Sequence, residues 1–313
     1  MNIIDFRNVS KSYGENQVIT DLNLRVNNGE CIALIGPSGC GKTTMLKMIN
    51  SMIEDYEGEI YYKGEELRKW DKISLRRSIG YVIQNIGLFP HKKIIDNISY
   101  VLEIKKVDKK EREAKAKELI EMVGLDESYL SKYPRELSGG EKQRIGVARA
   151  LAGNPDMVLM DEPFGAVDEI TRKILQDEII RIQKKLKKTI LFVTHDIDEA
   201  FKIGDRIILF NEGKIVQDGS KEDMLFNPEN EFVSKFFGLK NFTSYLSQTN
   251  ISEFVQPKGN REFTHMISND MSIMDGIRSV FENGVDEVGI QDDNGNIVGS
   301  FSIESLRDQF NKI

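Results

Sequence analysis

Short apolar runs, each bounded by polar or turn residues, recur along the first three-quarters of the chain and alternate with stretches of helical period. Residues 31–35 (CIALI) are apolar throughout and stop at Gly36, which predicts a strand buried on both faces; 43–50 then predicts a helix. Further strand-length apolar runs lie at 156–160, 189–193 and 206–210. Residues 109–123 are highly charged, yet Ala116, Leu119, Ile120 and Val123 fall at i, i+3, i+4 and i+7, so one face of a helix is apolar. This alternation over roughly residues 1–237 predicts an α/β fold with a mostly parallel sheet, carrying a helical subdomain at about 87–150.

The pattern changes near Leu239. Residues 239–249 are polar, show no clear period and predict a linker. Beyond them Ser272 is placed to cap a helix with Ile273, Ile277, Val280 and Phe281 on one face, closed by Gly284. Residues 288–291, Asp293-Asn294-Gly295 and 297–301 predict a hairpin, and Ser302 can cap a last short helix. The expected organisation is therefore a large α/β domain over 1–238 and a small α+β domain over 250–313. A length of 313 residues suits two domains.

Charge narrows the functional classes. The net charge is −7, and residues 240–313 carry −5 of it, with 6 Lys/Arg against 11 Asp/Glu. A chain devoted to holding nucleic acid needs the opposite sign. No apolar run approaches the roughly 20 residues that cross a bilayer, and Asp5, Arg7 and Asn8 leave no apolar signal core, so a cytoplasmic location is expected. Cys31 and Cys40 form no C-x-x-C pair, and His91, His195 and His265 are widely separated, which argues against zinc or thiol chemistry.

The chemistry begins at Gly36-Pro37-Ser38-Gly39-Cys40-Gly41-Lys42-Thr43, followed by Thr44, which fits G-x-x-x-x-G-K-[ST] between a strand and a helix. Small residues there let backbone N–H groups curl around phosphate oxygens, and the helix N-terminus adds positive potential. Lys42 can reach the β- and γ-phosphates, and the Thr43 hydroxyl can ligate Mg²⁺. Downstream, Val158-Leu159-Met160-Asp161-Glu162 is an apolar strand that delivers two acids at its tip. Alone, such a pair is as readily a solvated turn. Behind a phosphate loop, Asp161 can serve the metal's shell and Glu162 can orient or deprotonate an attacking water.

Leu137-Ser138-Gly139-Gly140-Glu141 opens a helix shortly before that strand. Here the chain resembles the ATP-binding cassette (ABC) ATPases, whose signature is LSGGQ, with Glu141 in place of the glutamine. The resemblance spans about residues 1–237 and brings further matches in the family's order. These are Tyr13 in the adenine-stacking position, Gln84 in YVIQNIGLFP, Asp168 after the acid pair and His195 in FVTHD. Gly165-Ala166-Val167-Asp168 departs from the commoner Ser-Ala-Leu-Asp.

The resemblance implies a P-loop ABC ATPase working as a homodimer, two cassettes head to tail. ATP would be held by Tyr13, the Gly36–Thr43 loop, Thr44 and Gln84. Mg²⁺ would be held by Thr43, Gln84 and Asp161. Glu162, His195 and Lys42 would be catalytic, and the Asp168 loop would lie at the dimer interface. Ser138, Gly139, Gly140 and Glu141 would act on the ATP of the partner chain.

Several features resemble importers for compatible solutes: no membrane segment in the same chain, the Leu88-Phe89-Pro90-His91 step after Gln84, and the 227–238 stretch. The tail resembles a single cystathionine-β-synthase (CBS) motif, as found in quaternary-amine importers. What this implies is a peripheral subunit on the cytoplasmic face of the cell membrane, without nucleic acid. Its partners would be integral permease subunits and an extracellular or periplasmic solute-binding protein. The cargo would be glycine betaine, carnitine, choline or proline betaine; an amino acid or another small solute stays open. DNA-repair ABC ATPases carry long insertions, whereas the 96 residues from Lys42 to Ser138 show no heptad run and no cysteine pair. In the tail, Ser305 stands where CBS motifs carry a ribose-binding Asp, which favours a small dimerising cap over a nucleotide sensor. An ionic-strength sensor using Asp286, Glu287, Asp292 and Asp293 is the alternative.

Overall fold

The computed structural model describes residues 2–84, 87–165, 167–257 and 263–310. Asn85 and Ile86 of the Gln84 segment, and Ala166 before Asp168, lie outside the described residues.

The chain divides into two compact units, 1–218 and 219–313. The first opens with strands β1 (Asn2–Tyr13), β2 (Asn16–Asn27) and β3 (Cys31–Ile35), then helix α1 (Lys42–Ile49). Strands β4 (Glu57–Tyr62) and β5 (Glu65–Glu66), helix α2 (Lys72–Ser78) and strand β6 (Ile79–Val82) follow. Three helices come next: α3 (Ile94–Ile104), α4 (Lys109–Met122) and α5 (Gly139–Ala152). The alternation then resumes with β7 (Met157–Asp161), α6 (Glu169–Leu186), β8 (Thr189–Val193), α7 (Ile197–Ile203), β9 (Arg206–Asn211) and β10 (Lys214–Gly219).

The main sheet has the order β10-β9-β3-β8-β7-β6, and β9, β3, β8, β7 and β6 pair in parallel. β3, β7 and β8 are buried at every residue, which is why their sequences read as unbroken apolar runs. Ile32, Leu34, Leu159 and Leu191 are fully buried there, each contributing about 1.5–3 kcal/mol over exposure. A second, four-stranded sheet, β2-β1-β4-β5, pairs antiparallel. The expectation of one mostly parallel sheet omits this layer. β1 and β2 conceal their period because register shifts repeatedly break their pairing.

The second unit comprises α8 (Lys221–Phe226), α9 (Glu231–Gln248), β11 (Met266–Ser268), α10 (Ile273–Asn283), β12 (Glu287–Gln291), β13 (Ile297–Ser302) and α11 (Ile303–Phe310). Its sheet, β11-β12-β13, pairs parallel then antiparallel. The predicted linker at 239–249 is a correction: up to Gln248 it is helix, the second arm of α9 beyond a kink at Gly238. Tyr245 and Leu246 are buried, and the Phe242 and Tyr245 rings stand 6.0 and 5.6 Å from Phe226. Aromatic packing, invisible to a search for period, holds the arm. Ser272 and Gly284 cap α10 as expected, but Phe281 lies off its buried face and is 71% exposed.

Candidate nucleotide site

Parallel strands collect loops at one edge, and this edge gathers the chemistry: the Gly36–Gly41 loop follows β3, Gln84 follows β6, Asp161 and Glu162 end β7, and His195 follows β8. Two glycines make the loop possible. A Cβ on Gly36 (φ +146°) would sit 2.0 Å from the Phe210 carbonyl oxygen; one on Gly41 (φ +111°) would sit 2.6 Å from that of Val18. Only glycine tolerates both the conformation and the approach. Gly41 precedes α1, so the loop runs into a helix N-terminus. Pro37, Ser38 and Gly39 are exposed, whereas Thr43 and Thr44 are half-buried.

Lys42 is buried inside this loop. Its Nζ donates to the Gly36 and Pro37 carbonyls at 2.7 and 2.8 Å and lies 3.5 Å from Cys40 Sγ. One residue on, Thr43 Oγ1 donates to Asp161 Oδ1 at 2.9 Å. Burial pushes the Asp161 carboxyl above the usual carboxylate range, opposed by the Thr43 hydrogen bond.

Glu162 takes the left-handed conformation, φ +47°, which costs a residue with a Cβ roughly 1–2 kcal/mol. Its N–H donates to the Val193 carbonyl at 3.0 Å, tying it to the end of β8. Gln84 Nε2 donates to Glu162 Oε2 at 2.7 Å, and His195 Nδ1 lies 3.8 Å from Oε1. The His195 turn is braced on both sides: Thr194 N–H donates to Leu34 O at 3.1 Å, and Asp196 N–H donates to Thr194 Oγ1 at 3.0 Å. Strained backbone at a cluster of polar side chains is a mark of function.

Oxygen donors, Thr43 Oγ1 and Asp161 Oδ1, converge beside the loop. Among the described residues no group of three or more His, Cys, Asp or Glu could cage a metal by itself. That donor set fits Mg²⁺, which takes one or two carboxylates and completes its shell with water and phosphates.

The Ser138–Glu141 turn is built apart from the Lys42 loop. Ser138 caps α5 by accepting from Glu141 N–H at 3.3 Å, while its own N–H donates to Glu141 Oε2 at 2.7 Å. The Tyr129 hydroxyl donates to Glu141 Oε1 at 2.7 Å. These bonds, Tyr129's first, hold the Glu141 carboxyl below its usual range. A carboxylate accepts on both oxygens, which a glutamine cannot do. Asp168 caps α6, accepting from Thr171 N–H at 3.1 Å. Tyr13, at the end of β1, is 50% exposed.

Sequence reasoning missed two supports. Asn97 is fully buried; it accepts from Phe89 N–H and donates to the Phe89, Lys92 and Lys93 carbonyls, fixing the turn that follows Gln84. Tyr129 is the other. Neither stands in a motif, so no signal marked them.

A phosphate loop, a Thr–Asp pair and a braced glutamate at the ends of parallel strands define a P-loop nucleoside triphosphatase. A family model described as "ABC transporter" matches residues 19–165. The choline transport ATP-binding protein OpuBA of Bacillus subtilis is 44% identical over 97% of this chain and 79% of its own. The glycine betaine uptake system ATP-binding protein YehX of Escherichia coli is 39% identical over 97% of this chain and 99% of its own. The chain belongs to the ABC transporter ATP-binding proteins, ATPases that couple hydrolysis to transport. Among solved structures, the ATP-binding cassette MJ0796, a dimer bound to ADP and Pi, superposes with a TM-score of 0.64. It is 34% identical and covers 69% of this chain and 98% of its own. Among the described residues no helix is long and apolar enough to cross a membrane.

Proposed function

We propose that this chain is the ATP-hydrolysing subunit of an importer for quaternary-amine compatible solutes such as glycine betaine, carnitine, choline or proline betaine. One observation carries the catalytic half: Lys42, Thr43–Asp161 and Gln84–Glu162–His195 meet at one sheet edge. The cargoes for which the relatives are named, choline and glycine betaine, support the solute class. In this reading Tyr13 stacks on adenine, and the Gly36–Thr43 loop with Thr44 wraps the phosphates. Glu162 takes a proton from, or orients, the attacking water, and His195 contacts the γ-phosphate. Thr43, Asp161 and the amide oxygen of Gln84 would hold Mg²⁺, which neutralises phosphate charge when bound.

Two copies would face head to tail, with Ser138, Gly139 and Gly140 offered to the partner's ATP and the Asp168 loop between them. The capping box fixes the first turn of α5, the segment this reading brings to the partner's ATP. The assembly would sit on the cytoplasmic face of the membrane against permease subunits, fed by a solute-binding protein. The tail is read as a CBS-like dimerising cap, since Ser305 is 3% exposed and occupied by its own turn.

The test is solute uptake by vesicles carrying the whole transporter, with wild type and Glu162→Gln. Uptake of betaine, choline, carnitine or proline that disappears in the variant is the expected result. If ATPase activity depends on Glu162 but none of these solutes moves, the solute class is wrong and another small solute takes its place.

A further inference from the structure

Lys11 is the unusual residue near the site. It is 2% exposed, although a buried ammonium costs several kcal/mol unless it is paired. Its Nζ donates to Asp55 Oδ2 at 2.5 Å, and the Asp55 side chain is itself 83% exposed, so the pair reaches from the interior to water. The same Nζ lies 4.4 Å from the centroid of the Tyr13 ring. The hairpin that carries Tyr13 pairs it with Asn16, and the next residues of β2 reach the phosphate loop, where the Val18 carbonyl closes on Gly41.

We infer that Lys11 is a positioning residue for nucleotide recognition: its ammonium anchors one face of the Tyr13 ring and presents the other face to the purine. The inference rests on the reading of Tyr13 as the adenine-stacking residue. A half-exposed tyrosine on a hairpin end would otherwise sample several rotamers and lose that freedom each time a base docks. A cation over its ring holds one orientation and draws electron density from the stacking face. Asp55 pairs with the same ammonium, so the Lys11–Asp55–Tyr13 group is close to neutral as a triphosphate approaches.

The experiment uses the full-length chain with Lys11→Met, which keeps the apolar stem and leaves Asp55 in water. ATP affinity is titrated beside that of inorganic tripolyphosphate, a probe with the phosphates but no base. ATP should bind roughly five- to tenfold more weakly, the span of a partly desolvated cation–π contact, with tripolyphosphate unchanged. In steady state the loss should fall on KM rather than kcat. In a Tyr13→Leu background Lys11→Met should add nothing. Equal weakening of ATP and tripolyphosphate would overturn the proposal, because the charge would then serve the phosphates or the loop. So would unchanged ATP affinity in Lys11→Met where Tyr13→Leu weakens it. If Tyr13→Leu itself leaves ATP affinity intact, the stacking reading is what fails. Lys11→Gln gives the same comparison if methionine disturbs the hairpin.

Discussion

The two units of this chain treat the polar residues at their strand ends in opposite ways. At the edge of the parallel sheet, Asp161 accepts from Thr43, Glu162 accepts from Gln84 and lies 3.8 Å from His195, and Glu162 holds a strained backbone to do so. In the tail, the equivalent groups are spent. Ser305 Oγ donates to Ser302 O at 2.7 Å and accepts from Ser302 N–H at 3.1 Å, while Ser302 Oγ accepts from Ser305 N–H at 3.0 Å. Glu287 accepts from Ser300 Oγ, and Asp292 accepts from Asn294 and Asn296 inside its own turn. Polar groups joined across distant strands under strain mark a site; polar groups satisfied inside one turn or hairpin mark a cap. Two of the four acids offered for ionic-strength sensing, Glu287 and Asp292, are therefore structural, and neutralising them would confound a salt experiment with a folding one.

The largest effect that could break this contrast lies at Glu162. Glu162→Gln keeps an acceptor for Gln84 and should lower ATP turnover about 10³-fold, in the range of a positioned proton acceptor, with ATP affinity retained. Phosphate release and nucleotide titration check it. Turnover above a tenth of wild type would remove Glu162 from that role.

Asp161 sharpens the cost of a site. Because burial raises its carboxyl's native pKa, the folded state favours the protonated form. The stability this supplies is present in full below the unfolded-chain value and is lost as pH rises through the raised native value. Asp161→Asn escapes the penalty and still accepts from Thr43. At neutral pH it should melt above wild type, while hydrolysis is lost. The gap in melting temperature should close on acidification; a gap independent of pH would contradict the burial argument.

In the tail the expected signs reverse. Ser305→Ala removes the two bonds its hydroxyl makes to Ser302 and should cost about 1 kcal/mol, an approximately fivefold loss of hydrogen-exchange protection in β13 and α11, with ATP turnover unaltered. Altered turnover would give Ser305 more than a capping role. Smallest of all, Phe281→Ser should change the stability of the chain by less than about 0.5 kcal/mol, since the ring is exposed. A loss of 2 kcal/mol or more would restore Phe281 to the packed face that its spacing predicts.

Local chemistry was legible wherever one short segment contains the whole device. The phosphate loop, the acid pair, the Ser272 and Gly284 caps and the Asp293-Asn294-Gly295 hairpin each sit within a few residues, so pattern and geometry coincide. The strand at 31–35 and the helix at 109–123 were equally plain, because burial on two faces or on one stripe writes itself into the period. The antiparallel sheet was hidden by bulges, and the second arm of α9 by aromatic contacts with no repeat.

What the sequence determined by itself is the class of chemistry and the order of its parts, because glycine freedom, a lysine and two acids constrain what a loop can hold. Tertiary structure alone decided which distant groups meet. Gln84 reaches Glu162 across 78 residues, Thr43 reaches Asp161 across 118, and Lys11 reaches Asp55 across 44. Parallel strands bring the first two pairs together because each crossover returns the chain to the same edge of the sheet, whereas Lys11 and Asp55 meet beside the antiparallel β1–β4 pair. A one-dimensional pattern holds no record of that return.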